Sequence, residues 1–153
     1  MEGNGGSVLY EFTGVFEHAL DVKGRLTLPS DFRGHINHTQ PAKITINFDR
    51  KSIAIYPLPA FRKFLDRLNR LPRTNPQAES VRRIITALTY DCEVDRQGRL
   101  IVTPKLREVA GIRREVAVVG NIEKVDLWDR ARWNESFSSG LDQLPANSLG
   151  LDI

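Results

Sequence analysis

The chain has a single cysteine, three histidines, few aromatic residues and no long apolar run. The lone Cys92 excludes an intrachain disulfide, and its place between Tyr90 and Val94 in an alternating apolar pattern predicts a buried thiol. No segment approaches the ~20 apolar residues of a membrane helix, and the first residues lack the regions of a signal peptide. We therefore expect a cytoplasmic protein that has no membrane partner.

Residues that could carry catalysis or bind a metal are also scarce. His18, His35 and His38 form no triad or ligand framework with Cys92. A glycine loop of the type GxxxxGK[ST], which would cradle phosphates, is absent. The sequence therefore predicts no enzymatic activity, no metal, no cofactor and no small-molecule substrate.

One short sequence occurs twice in the chain. Residues 21–26 (DVKGRL) return as residues 95–100 (DRQGRL), and the similarity extends on both sides of each copy. A repeat this long is typical of a duplicated domain-sized unit rather than of a solenoid. Domains below roughly 60 residues are marginal without a disulfide or a metal. We therefore expect the two halves to share one core as a pseudo-symmetric pair.

Each copy of the repeat predicts a tight hairpin. Phe16, His18 and Leu20 alternate with polar neighbours, as in a half-buried strand. Gly24 and Gly98 stand where a three-residue hairpin loop requires a positive φ. A short helix, two further strands and an amphipathic helix follow each hairpin in the residue pattern. The expected fold class is therefore α+β and rich in β-structure.

The repeat places an aspartate and an arginine at the two ends of each loop. Asp21 can meet Arg25, and Asp95 can meet Arg99. One interpretation is an exposed ion pair that steadies the turn by ~0.2–1 kcal/mol. The other is that the aspartate orients an arginine whose planar fork suits phosphate or guanine. The spacing alone leaves both interpretations open.

Positive charge is unevenly distributed along this chain of net charge +3. Basic residues concentrate between Arg62 and Arg83, whereas residues 134–153 contain acids and no base. The basic stretch could attract phosphate. A solvated helix face would account for it equally well.

Several segments resemble the MraZ transcriptional regulators. The resemblance rests on residues 12–29 (FTGVFEHALDVKGRLTLP), 95–100 (DRQGRL), 110–112 (AGI), 115–120 (EVAVVG) and 127–129 (LWD). Members of this family carry two SpoVT-AbrB-like modules, each built round an Asp-x-x-x-Arg hairpin. The resemblance implies a pseudo-two-fold, double AbrB-like swapped-hairpin barrel with flanking helices.

The resemblance also divides the chain into segments. These are a flexible N-terminal arm (1–11), a first module (12–71), a linker and helix (72–88), a second module (89–137) and a C-terminal tail (138–153).

The function implied by the resemblance is sequence-specific regulation of transcription. Family members bind double-stranded DNA at tandem promoter repeats upstream of the division and cell-wall gene cluster, usually as repressors and as ring-like homo-oligomers. A cytoplasmic, nucleoid-associated protein is implied. The expected DNA-binding residues are Arg25, Lys23 and Asp21 in the first half, and Arg99, Arg96 and Asp95 in the second. The alternative is an AbrB-like antitoxin, scaffold or other protein-interaction module without specific DNA binding.

Overall fold

The computed structural model describes residues 9–144 and 149–150. The first eight residues of the expected arm lie outside the described residues, as do 145–148 and 151–153 of the expected tail. Tyr10 stacks on Phe12, which is buried and bridges Ile122.

The described chain contains eight strands, four α-helices and one short 3-10 turn, which confirms the α+β class. In chain order the elements are β1 (Val15–Ala19), β2 (Arg25–Thr27), the 3-10 turn (Ser30–Phe32), β3 (Ala42–Ile46), β4 (Ser52–Pro57), α1 (Leu58–Asn69), α2 (Pro76–Ala87), β5 (Tyr90–Cys92), β6 (Arg99–Ile101), α3 (Pro104–Ala110), β7 (Glu115–Asn121), β8 (Lys124–Asp129) and α4 (Arg130–Asp142).

Six strands form one antiparallel sheet in the order β1-β7-β8-β4-β3-β5, and β2 and β6 form a separate two-stranded ribbon. The two halves of the chain exchange strands within this arrangement. Strand β1 of the first half pairs with β7 of the second, and β5 of the second half pairs with β3 of the first. The strand pairing therefore has the pseudo-symmetry expected from the repeat.

The closed barrel implied by the resemblance is not found among the described residues. The large sheet is open, with β1 and β5 at its edges. It stays open because each repeat turn separates its two strands: β1 joins the sheet, whereas β2 pairs only with β6. The two arms of each predicted hairpin pair only next to the turn, where Val94 forms an isolated antiparallel bridge with Leu100 in the second half. The turns themselves form, closed by a hydrogen bond from the Asp21 amide to the Arg25 carbonyl (3.0 Å) and by its Asp95 counterpart (2.9 Å).

One buried cluster draws on both halves, as the short repeat requires. It contains Leu26 and Leu100 from the ribbon together with Ile53 and Ile55 from β4. The alternate β4 residues Ala54 and Tyr56 lie in a second cluster with α1. Because successive side chains of a strand point to opposite faces, the ribbon covers one face of the sheet and α1 covers the other.

Helix α4 lies on the same face of the sheet as α1. Its Trp133 packs edge-on against Trp128 of β8, with ring centroids 5.7 Å apart. Trp128 and Asp126 are two residues apart in β8, so their side chains lie on the same face of the sheet. Asp126 pairs with Ala54, which packs against α1, so Trp128 also lies on the α1 face. Helices α1 and α4 therefore both pack on the face of the sheet opposite the ribbon, and the end of α1 also reaches the shared core through Leu68.

The predicted burial of the single thiol is confirmed. Cys92 lies at the end of β5 inside the shared core, and burial raises the pKa of its thiol to about 12. None of the helices among the described residues has the length and apolar character that crossing a membrane would require.

Candidate nucleic-acid interface

The first repeat turn is held by the side chain of Asp21. One carboxylate oxygen accepts from the backbone amides of Lys23 (2.9 Å) and Arg25 (2.8 Å), and the other accepts from Nε of Arg25 (2.7 Å). Gly24 follows with φ +76°, in the left-handed region that favours glycine. Asp21 therefore fixes both the backbone of the turn and the arginine at its end.

The second turn repeats this geometry around Asp95. Its carboxylate accepts from the backbone amides of Gln97 and Arg99 and from Nε of Arg99, each at 2.9 Å. Gly98 has φ +82°. The predicted pairing of aspartate with arginine is thus confirmed in both halves.

Each aspartate binds the guanidinium group of its arginine through Nε alone. Within residues 9–144 and 149–150, no hydrogen bond to a protein acceptor uses the terminal Nη groups of Arg25 or Arg99. A guanidinium held at Nε keeps its Nη groups available as a fork, the geometry that recognises phosphate or the O6/N7 edge of guanine. The geometry agrees with both interpretations of the pair, because the ion pair that steadies the turn also fixes the guanidinium at Nε.

The two turns are tied to each other across the halves. The amide of Leu28 donates to the Gly98 carbonyl (2.8 Å), and the amide of Val102 donates to the Gly24 carbonyl (3.1 Å). These bonds continue the ribbon at both ends. A distortion of one turn is therefore transmitted to the strand of the other half.

Arg33 and Arg107 also recur in the repeat, and the structure places each over the turn of the opposite half. A side chain at position 98 would overlap the Arg33 guanidinium, and one at position 24 would lie 3.2 Å from Nη1 of Arg107. Arg33 also donates to the carbonyl of Leu28 (2.8 Å). These arginines support the turns, and the glycines leave room for them.

The ribbon places Arg25 and Arg99 on one surface. In its antiparallel register Arg25 faces Ile101, Leu26 faces Leu100, and Thr27 faces Arg99. The two leucines are buried against the sheet, so the other side chains point outward. Arg25 and Arg99 are diagonal neighbours, with a Cα separation of about 7–8 Å. The six predicted site residues thus surround one short ribbon, with one Asp–Arg pair at each end.

Thr27 and Ile101 share this outer face and were not predicted. The alternation of Leu26 and Leu28 with Arg25 and Thr27 marks Thr27 as outward-facing, but only the pairing of β2 with β6 brings Ile101 beside Arg25. A further base, Arg114, lies beside the end of β1, where the amide of Leu20 donates to the Arg114 carbonyl (2.9 Å). The neighbouring Arg113 pairs with Asp129 (3.4 Å).

The tips of the two turns differ. Lys23 is exposed, and among the described residues only its backbone amide makes a hydrogen bond, which it donates to the Asp21 carboxylate. Arg96 instead lies 3.4 Å from Nε2 of His38, which belongs to a loop of the first half. The two tips therefore present different groups to any ligand.

The basic stretch from Arg62 to Arg83 lies on α1, α2 and the segment between them, apart from the ribbon. Arg82, its most buried member, donates to the carbonyl of Leu71 (2.7 Å) and to Glu79 (2.6 Å). This arginine therefore joins α2 to the end of α1 and has a structural role. Over the described residues, no three His, Cys, Asp or Glu side chains are grouped as a metal site would require.

Asp21 should titrate below the ordinary carboxyl range. The hydrogen bond from the backbone amide of Arg25 holds the pKa of Asp21 below its ordinary value of 3.8. Burial opposes this shift, whereas the Arg25 side chain and the Lys23 amide lower the pKa further. Because the pKa is lowered in the folded state, the carboxylate stabilises the turn above pH 3.8, and this contribution is lost as pH falls through the folded-state pKa.

We expect Arg25→Ala to raise the pKa of Asp21 only part of the way back, since the backbone amide remains. Carboxyl NMR titration measures this directly. Asp95 in the same variant is the internal control and should keep its lowered pKa. A wild-type Asp21 pKa at or above 3.8 would contradict the geometry described for the turn.

Fold and site together define a duplicated α+β protein whose halves exchange strands and share one arginine-bearing ribbon. A family model described as "MraZ protein, putative antitoxin-like" matches the chain twice, over residues 12–84 and 85–146. The chain belongs to the MraZ family.

Three relatives illustrate the similarity, and each is named "Transcriptional regulator MraZ". The protein of Herpetosiphon aurantiacus is 36% identical over 135 residues, which cover 88% of this chain and 92% of the relative. That of Acidithiobacillus ferrooxidans is 34% identical over 140 residues (86% and 93%). That of Escherichia coli O127:H6 is 33% identical over 133 residues (86% and 88%). Transcriptional regulators are not a class of enzyme.

Proposed function

We propose that the chain is a sequence-specific DNA-binding transcriptional regulator that acts as a repressor. The observation that carries the proposal is the ribbon, which holds the partly exposed Arg25 and Arg99 on its outer face, with Nη groups that make no hydrogen bond among the described residues. A two-stranded antiparallel ribbon fits the B-DNA major groove, which is about 12 Å wide. Arginine forks contact guanine there, and the adjacent Lys23 and Arg96 contact phosphates. Asp21 and Asp95 are positioning residues.

The target is proposed to be a set of short tandem repeats in the promoter of the division and cell-wall gene cluster. This assignment rests on the resemblance to the MraZ regulators. One ribbon offers few phosphate contacts, so a single subunit would bind weakly and with strong salt dependence. A ring-like homo-oligomer that engages several repeats at once would multiply this affinity through effective concentration. Such a protein works in the cytoplasm, in association with the nucleoid.

Selection from a random duplex library tests this function. We expect a short element to be enriched, and tandem copies of it to bind more tightly than one copy. Lys23→Ala should weaken binding to selected and random DNA alike and reduce the slope of log affinity against log salt by about 1, because one phosphate contact is lost. Equal affinity of the wild type for selected and random DNA would instead favour the antitoxin or scaffold alternative.

A further inference from the structure

Helix α4 carries an apolar stripe that leaves the sheet. Phe137 packs on Trp133, with ring centroids 5.7 Å apart, but is itself 51% exposed. Leu141, one turn further, is 56% exposed, and Leu144 follows just beyond the helix. Apolar residues at this spacing form one side of a helix and are normally buried against another element. No residue of α4 is buried in the described chain.

The equivalent helix of the first half is covered. Leu68 near the end of α1 lies in the core with Ile85 of α2, and Leu71 packs against the same cluster. Arg82 fastens the two helices through its bond to the Leu71 carbonyl. Helix α2 follows α1 directly, and over residues 143–144 and 149–150 no second helix of this length follows α4. Within the described residues, α4 therefore lacks the cover that α2 gives to α1.

A groove beside α2 offers a matching apolar surface. Phe48 (64% exposed), Ile84 (53%) and Val81 border it, and Ile46, Leu71 and Ile85 contribute to its lining. Its volume is about 640 Å³. Several exposed apolar side chains gathered at one groove mark an interaction surface.

Charge distinguishes the two surfaces. After Trp133, α4 carries Glu135 and Asp142 and no basic residue. Arg50 lines the groove, and Arg83 is exposed on α2 next to Ile84. The α4 stripe is thus apolar with acidic neighbours after Trp133, and the groove is apolar with basic neighbours. Such complementarity favours the pairing of unlike surfaces over the pairing of either surface with itself.

We infer that the α4 stripe of one copy of this chain packs into the α2 groove of the next copy. Because two different patches meet, the contact is heterologous, and repeated contacts close into a ring when the rotation allows it. The stripe lies on a helix that packs on the face of the sheet opposite the ribbon. The inference deepens the ring assembly of the proposed function, and no DNA contact enters it.

A crosslinking experiment tests the head-to-tail contact. One chain carries Val81→Cys and another carries Leu141→Cys; the two are unfolded, mixed, refolded together and treated with a short thiol-to-thiol crosslinker without DNA. The buried Cys92 stays unreactive because burial raises the pKa of its thiol. We expect crosslinked pairs in the mixture and none in either chain alone. Crosslinking of Leu141→Cys with itself, or no crosslinking in the mixture, would overturn the inference.

A mass measurement provides an independent test of the same contact. Phe137→Glu should reduce the assembly to the 17.3 kDa chain in light scattering, whereas Ile122→Glu, which replaces a side chain that is 63% exposed in the β7–β8 turn, should leave the mass unchanged. An unchanged mass for Phe137→Glu would overturn the inference.

The two proposals can fail separately. If the DNA proposal is wrong, the wild-type protein shows no sequence preference but still gives crosslinks in the mixture. If the contact is wrong, sequence preference persists while the mixture gives no crosslinks.

Discussion

Replacing Arg25 with alanine is expected to abolish the preference for selected DNA and to leave the fold and the assembly intact. A bidentate arginine–guanine contact contributes about 1–3 kcal/mol of discrimination, which corresponds to roughly 5- to 150-fold for each ribbon. The loss should be larger on tandem repeats, because every subunit of an assembly loses the same contact. Competition binding against random duplex DNA, at one fixed salt concentration, measures the effect.

Two matched variants make this result interpretable. Arg25→Lys keeps the charge but removes the planar fork, so it should keep random binding and lose most of the sequence preference. Arg62→Ala removes an exposed arginine from α1, which packs on the opposite side of the sheet. This variant should change neither the affinity for random DNA nor the sequence preference. Equal losses for Arg25→Ala and Arg62→Ala would mean that general charge, and not the ribbon, determines binding.

Truncating either buried leucine of the ribbon is expected to destabilise the whole chain. Leu26 and Leu100 are opposite one another and are almost fully buried. Each change to alanine should lower the free energy of unfolding by about 2–5 kcal/mol, the usual cost of a buried leucine-to-alanine cavity. Because both halves build one core, each variant should unfold in a single transition, measured by denaturant titration at one fixed protein concentration.

Ile101→Ala is the matched control for the core variants. It shortens an apolar side chain next to Leu100 in the same strand, but on the outer face, where most substitutions change stability by less than about 0.5 kcal/mol. Two separate transitions in Leu26→Ala or Leu100→Ala would contradict a shared core.

The local features of this structure could be predicted from the sequence. Aspartate, glycine and arginine at fixed spacing determine a turn through contacts within a few residues, so the geometry of residues 21–25 and 95–99 follows from their chemistry. The burial of Cys92 and the shared core follow from alternation and from the length of the repeat. These inferences depend on no distant partner.

Strand pairing could not be predicted in the same way. Alternation identifies β1 and β2 as strands and shows which side chains face inward, but every half-buried strand has the same pattern whatever its partner. The exchange of strands between halves is determined by the shared core. For this reason the ribbon, and Ile101 as a neighbour of Arg25, became visible only in the folded chain.

The central claim is that the outer face of the ribbon enters DNA, and a photocrosslink from that face tests it most directly. A photoreactive residue at position 101, where the native side chain is 52% exposed opposite Arg25, should crosslink to bases of the selected element. The same residue at position 122, also exposed but distant in the sheet topology, should not. Crosslinking to bases from position 122 and not from position 101 would contradict the claim.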